Sequence, residues 1–148
     1  MMNEVSVVIA LGGKGSRLSE LTKEIPKPLF EVSGYSTLER TLILLKNQNL
    51  TNIFLTTCYK SEFVRNFAEN FKIKYQLNIE IFSETEALGE CGALWEIKEN
   101  LSSRVIFING DIIFSMNFNK LYLFHDRLDS DITLVTHPST HPEDSDMV

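Results

Sequence analysis

Positive charge is in deficit along this chain of 148 residues: 14 Lys and Arg stand against 20 Asp and Glu, for a formal net charge of −6. A nucleic-acid duplex needs a basic footprint, so this balance argues against nonspecific nucleic-acid binding. A small phosphorylated ligand responds to local charge and is not excluded. Cysteine is scarce as well. Cys58 and Cys91 are the only two. They lack the CxxC spacing of a metal or redox motif and read as reduced thiols of a cytoplasmic protein. No apolar run approaches the ~20 residues that a membrane span requires. The run Val5 to Leu11 follows Met-Met-Asn-Glu, with neither a basic flank nor a small-residue cleavage site, and does not read as a signal peptide. Internal repeats, low-complexity tracts and linkers are also missing.

What is present fits one globular domain spanning residues 1–148. The residues are 43% hydrophobic and 23% charged, close to the averages of folded domains, and the length allows a sizeable core. Val5 to Leu11 is a short, nearly continuous apolar run that ends at two glycines, as a buried parallel strand does. Residues 12–35 are rich in Gly, Pro, Lys and Ser and read as a long loop with about one helical turn. A loop of that length inside a compact domain is usually functional. Thr37 to Asn49 has helical apolar spacing through Leu38, Leu42 and Leu45, with Ser36 or Thr37 as its cap. Further along, strands are expected at Asn52 to Thr57, Leu77 to Phe82, Arg104 to Asn109 and Asp131 to Thr136. Helices are expected at Ser61 to Phe71 (Phe63, Val64, Phe67 and Phe71 facing inward), Cys91 to Asn100 and Phe118 to Leu128. The alternation of strands and helices implies an α/β fold with a mostly parallel sheet and helices on both faces. Ligands of such sheets bind beyond the carboxyl ends of the strands. The loops after Leu11, Phe82 and Asn109 therefore share one rim.

The first of these loops, Gly12-Gly13-Lys14-Gly15-Ser16-Arg17-Leu18, has the composition of a phosphate cradle. Glycines let backbone N–H groups converge on phosphate oxygens. Lys14 and Arg17 add positive charge, and a guanidinium grips phosphate with two parallel hydrogen bonds. The segment does not supply the Walker pattern, and Leu18 stands where a dinucleotide fingerprint needs its third glycine. Taken alone, the loop could be a plain tight turn. Ile25-Pro26-Lys27-Pro28-Leu29 follows, and its prolines fix the backbone around Lys27 and keep it out of a helix.

Gly-Gly-Lys-Gly-Ser-Arg-Leu, then Leu21-Thr22, then Pro-Lys-Pro-Leu, resembles the signature of the sugar-1-phosphate nucleotidylyltransferases. The resemblance continues through Gly34, Leu88-Gly89, Gly92-Ala93-Leu94 and Asn109-Gly110-Asp111. It implies a Rossmann-like three-layer α/β/α fold, truncated at its C-terminus, and transfer of a nucleotidyl group from a nucleoside triphosphate to a sugar 1-phosphate with release of pyrophosphate. It also implies site residues. Leu11, Gly12, Gly13, Lys14, Gly15, Ser16 and Arg17 would bind the nucleotide, together with Glu84 and Gly89. Arg17 and Lys27 would be catalytic, the first on the α-phosphate and leaving pyrophosphate, the second between α-phosphate and sugar phosphate. Asp111 would bind Mg²⁺. These roles suit the chemistry, which joins two anions and depends on positioning and charge neutralisation; a phosphate oxygen is already ionised and needs no general base.

Glu84 lies in the loop that contacts the base in this family. Guanine presents two adjacent donors, and an ionised carboxylate is an acceptor that matches both, so Glu84 points to GTP. Leu88-Gly-Glu-Cys-Gly-Ala-Leu-Trp95, with Phe107-Ile-Asn-Gly-Asp111 and the His-Pro segments at His137 and His141, is most similar to mannose- or heptose-1-phosphate guanylyltransferases. It looks like the transferase part of proteins fused to a sugar-phosphate phosphatase, so a further domain is an expected partner besides nucleotide and sugar phosphate.

The sequence departs from the family pattern in places. Leu11 stands where a small Ala usually precedes the glycines, and Glu90-Cys91 replaces Thr-Ala. The chain also ends before the family's second metal-binding aspartate and most of its sugar pocket. Three alternatives stay open: a nucleotide-binding module without catalysis, a uridylyl- or thymidylyltransferase for glucose 1-phosphate, and a molybdopterin-type guanylyltransferase. The last is opposed by Pro-Lys-Pro-Leu and by Arg17-Leu18. A metal site at His137, His141, Asp144 and Asp146 is a weaker reading than turns around the His-Pro pairs.

Overall fold

The computed structural model describes residues 4–12, 25–58, 60–86, 88–89 and 91–138. The chain divides into two compact units, Met1–Met116 and Asn117–Val148.

The first unit is built on a parallel sheet. Its strands are β1 (Val5–Ala10), β4 (Asn52–Thr57), β5 (Asn78–Ser83) and β6 (Arg104–Asn109), in the spatial order β5-β4-β1-β6. A two-stranded antiparallel ribbon, β2 (Glu31–Val32) and β3 (Tyr35–Ser36), precedes the first long helix. This ribbon was not expected within the loop assigned to residues 12–35; its strands are too short to show a period-2 pattern. The helices are α1 (Thr37–Asn47), α2 (Ser61–Tyr75) and α3 (Gly92–Ile97), with 3-10 turns at Lys27–Leu29 and Lys98–Asn100.

Register explains the layers. Val8 lies beside Phe54 on one side and Phe107 on the other. These residues share a face of the sheet, and Val8 and Phe54 join Ile97 of α3 in a core that Phe82, Leu94, Leu101 and Phe107 flank. Val7, Ile9, Ile53, Leu55 and Ile79 form the opposite, fully buried face. Right-handed crossovers from β1 to β4 and from β4 to β5 put α1 and α2 on that face, and the return from β5 to β6 puts α3 on the other. This is the expected three-layer α/β arrangement.

Local signals set the helix boundaries. Ser36 caps α1, its Oγ accepting from the Glu39 N–H at 3.1 Å, and the Ser-x-x-Glu spacing is that of a capping box. α2 runs one turn beyond the expected Phe71. Its buried residues are Val64, Ala68 and Phe71. Phe63 does not face inward: it is 46% exposed, with the Lys60 ammonium 5.7 Å from its ring centroid. Adjacent residues on a helix point about 100° apart, and with Val64 at the centre of the buried stripe Phe63 falls at its margin, toward solvent. Phe67 is half-buried and stacks on Phe71 at 5.4 Å.

At the amino ends of the strands a polar chain ties the sheet together. The Ser6 hydroxyl, fully buried, donates to Ser102 Oγ at 3.0 Å and accepts from the Ser102 N–H at 2.8 Å and the Asn52 amide at 3.1 Å. Asn78 then donates to Asn52 Oδ1 at 3.3 Å.

The second unit holds α4 (Phe118–Leu128), capped by Asn117 Oδ1 on the Lys120 N–H at 3.0 Å. The strand expected at Asp131 to Thr136 is not formed. Ile132 and Leu134 are 78% and 66% exposed, and the segment has no strand neighbour among the described residues. Strand propensity is expressed only where a neighbouring chain completes the ladder. Instead Thr133 Oγ1 lies 2.8 Å from His125 Nδ1 of α4. No helix among the described residues is long and apolar enough to cross a membrane.

Candidate functional site

Chain connections from β1 and β4 run toward β5, whereas the connection leaving β5 runs back across to β6. The reversal lies between β1 and β6, and the crevice at their carboxyl ends is where an open α/β sheet binds ligand.

The ladder continues one residue past three strands. The Leu11 N–H donates to Thr56 O at 2.8 Å, the Glu84 N–H to Thr57 O at 2.8 Å and the Gly110 N–H to Ala10 O at 2.9 Å. Gly12, Glu84 and Asp111 therefore leave the sheet from fixed points on one edge.

Gly110 is required by close approach. A Cβ there would lie 2.2 Å from Leu11 Cδ2 and 2.8 Å from Ala10 O. The Leu11 side chain is buried and occupies the space beside Gly110. Its N–H is committed to Thr56, so Leu11 enters the site by packing rather than through that donor. Gly110→Ala should cost about 1–3 kcal/mol, the range for overpacking a filled interior, because the Ala10 carbonyl belongs to the sheet and cannot step aside as a side chain can. Chemical denaturation of the two proteins measures this; equal stability would show that the two exits are looser than the geometry implies.

Lys27 opens the 3-10 turn Lys27–Leu29, with Pro26 as its cap. The prolines do not keep Lys27 out of helical structure, as expected from sequence; they favour this single turn. Neither ring has an N–H to satisfy, and the early positions of a helix need none. Leu29 N–H closes on Pro26 O at 2.9 Å and Phe30 N–H on Lys27 O at 3.1 Å. Pro26 and Pro28 are both buried, and the turn packs against α1. From this anchored base the Lys27 ammonium reaches Asp111, with Nζ 2.7 Å from Oδ2. The two residues are 84 positions apart in sequence, and their side chains are 38% and 46% exposed. The fold thus brings together the expected catalytic lysine and the expected metal-binding aspartate.

Glu84 closes the other side. Its Oε2 accepts the Leu88 N–H at 3.0 Å, which curls the carboxylate over its own loop. Its Oε1 lies 3.8 Å from where a Gly12 Cβ would stand. The same point is 3.9 Å from the Cys58 Cβ. Cys58 was not among the residues expected at the site. The signal was available, since it follows β4, and every parallel strand exit opens on the same rim. Gly89 follows Leu88 with φ +80°, a backbone that favours glycine.

The structure therefore brings Lys27 to Asp111, and Glu84 to Gly12. Gly13, Lys14, Gly15, Ser16 and Arg17, and also Glu90, His141, Asp144 and Asp146, lie outside the described residues. Among the described residues no group of three or more His, Cys, Asp or Glu could hold a metal. Asp111 therefore belongs to no such cluster of three or more. That fits a Mg²⁺-type cation, which is commonly held by one or two carboxylates together with substrate phosphates.

The family profile described as nucleotidyl transferase matches residues 6–146, from β1 through every described part of this edge. The chain belongs to the nucleotidyl transferase family. Similar relatives include the D-glycero-alpha-D-manno-heptose 1-phosphate guanylyltransferases of Aneurinibacillus thermoaerophilus and Campylobacter jejuni. The first is 29% identical over 90% of this chain and 58% of its own length. The second is 31% identical over 80% of this chain and 53% of its own. Among solved structures, HddC from Yersinia pseudotuberculosis complexed with GMP-PN superposes with a TM-score of 0.67 at 31% identity, covering 81% of this nucleotidyl transferase chain and 53% of HddC. The chain spans a little over half the length of these relatives.

Proposed function

We propose that this chain carries the nucleotide-binding and catalytic edge of a sugar-1-phosphate guanylyltransferase acting on a mannose- or heptose-type 1-phosphate. The observation that carries the reading is the Lys27–Asp111 pair at 2.7 Å on the switch-point edge, with the Glu84 carboxylate beside Gly12 on the same rim. Relatives named as heptose 1-phosphate guanylyltransferases and the guanine-nucleotide complex of HddC support it.

The reaction is in-line attack of a sugar-phosphate oxygen on the α-phosphorus of GTP, with pyrophosphate leaving from the opposite side. Both reactants are anions, so the residues must hold them together and offset their repulsion. Gly12, and by resemblance Gly13 to Ser16, let backbone donors approach the phosphates. Lys27, on its proline-anchored turn, reaches the crevice and neutralises the α-phosphate and sugar phosphate. By resemblance Arg17 does the same for the departing pyrophosphate. Glu84 accepts from the guanine edge. Asp111 is the carboxylate that would hold a divalent cation, Mg²⁺ in this reading, which when bound supplies further charge neutralisation on phosphate.

The test is calorimetry of the protein with GTP, UTP, dTTP and CTP, each with Mg²⁺. GTP should bind at least about tenfold more tightly than the pyrimidine nucleotides, a difference of about 1.4 kcal/mol. Equal affinity for all four would remove the guanine assignment, and binding of none would remove the nucleotide site itself.

A further inference from the structure

The ion pair between Lys27 and Asp111 joins two groups that, on the proposed function, serve different partners: the lysine takes phosphate and the aspartate a divalent cation. Here they hold each other, with Nζ 2.7 Å from Oδ2, the length of a charge-assisted hydrogen bond. Neither backbone is free to drift. Lys27 stands on a turn between two buried prolines, and Asp111 follows a glycine packed against Ala10 O and Leu11. The contact is a product of the fold rather than of two long side chains meeting by chance.

We infer that Lys27 is a placeholder cation, neutralising Asp111 in the ligand-free protein and barring a divalent cation from it until nucleotide arrives. This rests on the assignment of Asp111 as the metal-holding carboxylate. A cation arriving alone meets a carboxylate already paired and an ammonium of like charge beside it. Among the described residues no further cluster of acidic or other ligating side chains compensates. A cation arriving with a triphosphate brings its own oxygen ligands and gives Lys27 another anion to hold. Both charges of the pair then exchange partners, and neither is left unpaired. The half-exposure of the two side chains suits an exchange, since ion pairs open to water are weak and part readily. Cation and nucleotide must then bind cooperatively, and the coupling is reciprocal.

The experiment titrates Mn²⁺ into the protein without nucleotide and follows free Mn²⁺ by electron paramagnetic resonance, with circular dichroism to confirm that each variant is folded. Lys27→Met should tighten Mn²⁺ binding roughly tenfold, the order expected when a unit charge of like sign is removed a few ångströms from a divalent cation in water. Lys27→Arg keeps the positive charge and should bind as weakly as the parent. Adding Asp111→Asn to Lys27→Met should abolish the gain. Equal Mn²⁺ uptake by the parent and Lys27→Met overturns the inference, as does a gain that survives Asp111→Asn. Either result leaves the guanylyltransferase reading standing, because that reading is judged by nucleotide selectivity and product formation.

Discussion

Replacing Lys27 with methionine should lower the rate of nucleotidyl transfer about 10²–10³-fold, equivalent to about 2.7–4 kcal/mol at the transition state, the effect of removing one preorganised electrostatic contact. Methionine keeps much of the side chain's length and apolar stem and removes only the charge, so the turn around Pro26 and Pro28 should persist. The loss should fall on kcat far more than on the affinity for GTP. On the proposed function most nucleotide contacts would lie elsewhere in the crevice, and the lysine's charge would matter most when two phosphates are brought into contact. Steady-state pyrophosphate release and calorimetry on the same protein separate the two quantities. An interaction that helps ground state and transition state equally would raise KM and spare kcat; that pattern would make Lys27 a simple nucleotide clamp.

The second large effect is expected at Glu84. Glu84→Gln should reduce the preference for GTP over UTP by roughly 10–150-fold, matching the about 1.5–3 kcal/mol of a hydrogen bond to a charged group. A carboxylate accepts from two adjacent donors, as guanine offers them. A carboxamide has one acceptor and one donor side, which suits uracil better. Glutamine is the informative substitution because its carbonyl can still accept the Leu88 N–H, now held by Glu84 Oε2 at 3.0 Å. The loop should therefore survive the change. The ratio of kcat/KM for GTP to that for UTP is the quantity to compare; an unchanged ratio would mean that Glu84 only braces its loop.

Much of this architecture was legible in the sequence, because the central strands β1 and β4 are buried on both faces and the edge strands still carry short runs of apolar residues. Asn52 to Thr57 and Arg104 to Asn109 were placed to the residue. The errors have physical causes. Phe63 was expected inward with Val64, Phe67 and Phe71, but the buried stripe runs through Val64, Ala68 and Phe71 and Phe63 lies beside it, 46% exposed. Asp131 to Thr136 has the composition of a strand, yet composition does not supply a neighbour. At the site, the meeting of Lys27 and Asp111 across 84 residues follows from strand order, which no local pattern encodes. The resemblance to a family named both residues but did not say that they would hold each other. Cys58 escaped because nothing in its own neighbourhood marks it; only the shared rim of parallel strand exits does.

The fit of Leu11 into the space beside Gly110 links two positions far apart in sequence into a single choice. A bulky residue at the end of β1 is compatible with glycine, and little else, at the end of β6. Substituting a larger residue at 110 should become tolerable only when 11 is made small, and even then the Ala10 carbonyl sets a limit. Libraries that vary position 110 alone should find it intolerant, whereas varying it together with a smaller residue at 11 should recover some folded proteins. The side chain just before the glycine loop thus helps determine where the aspartate at the neighbouring strand end can stand.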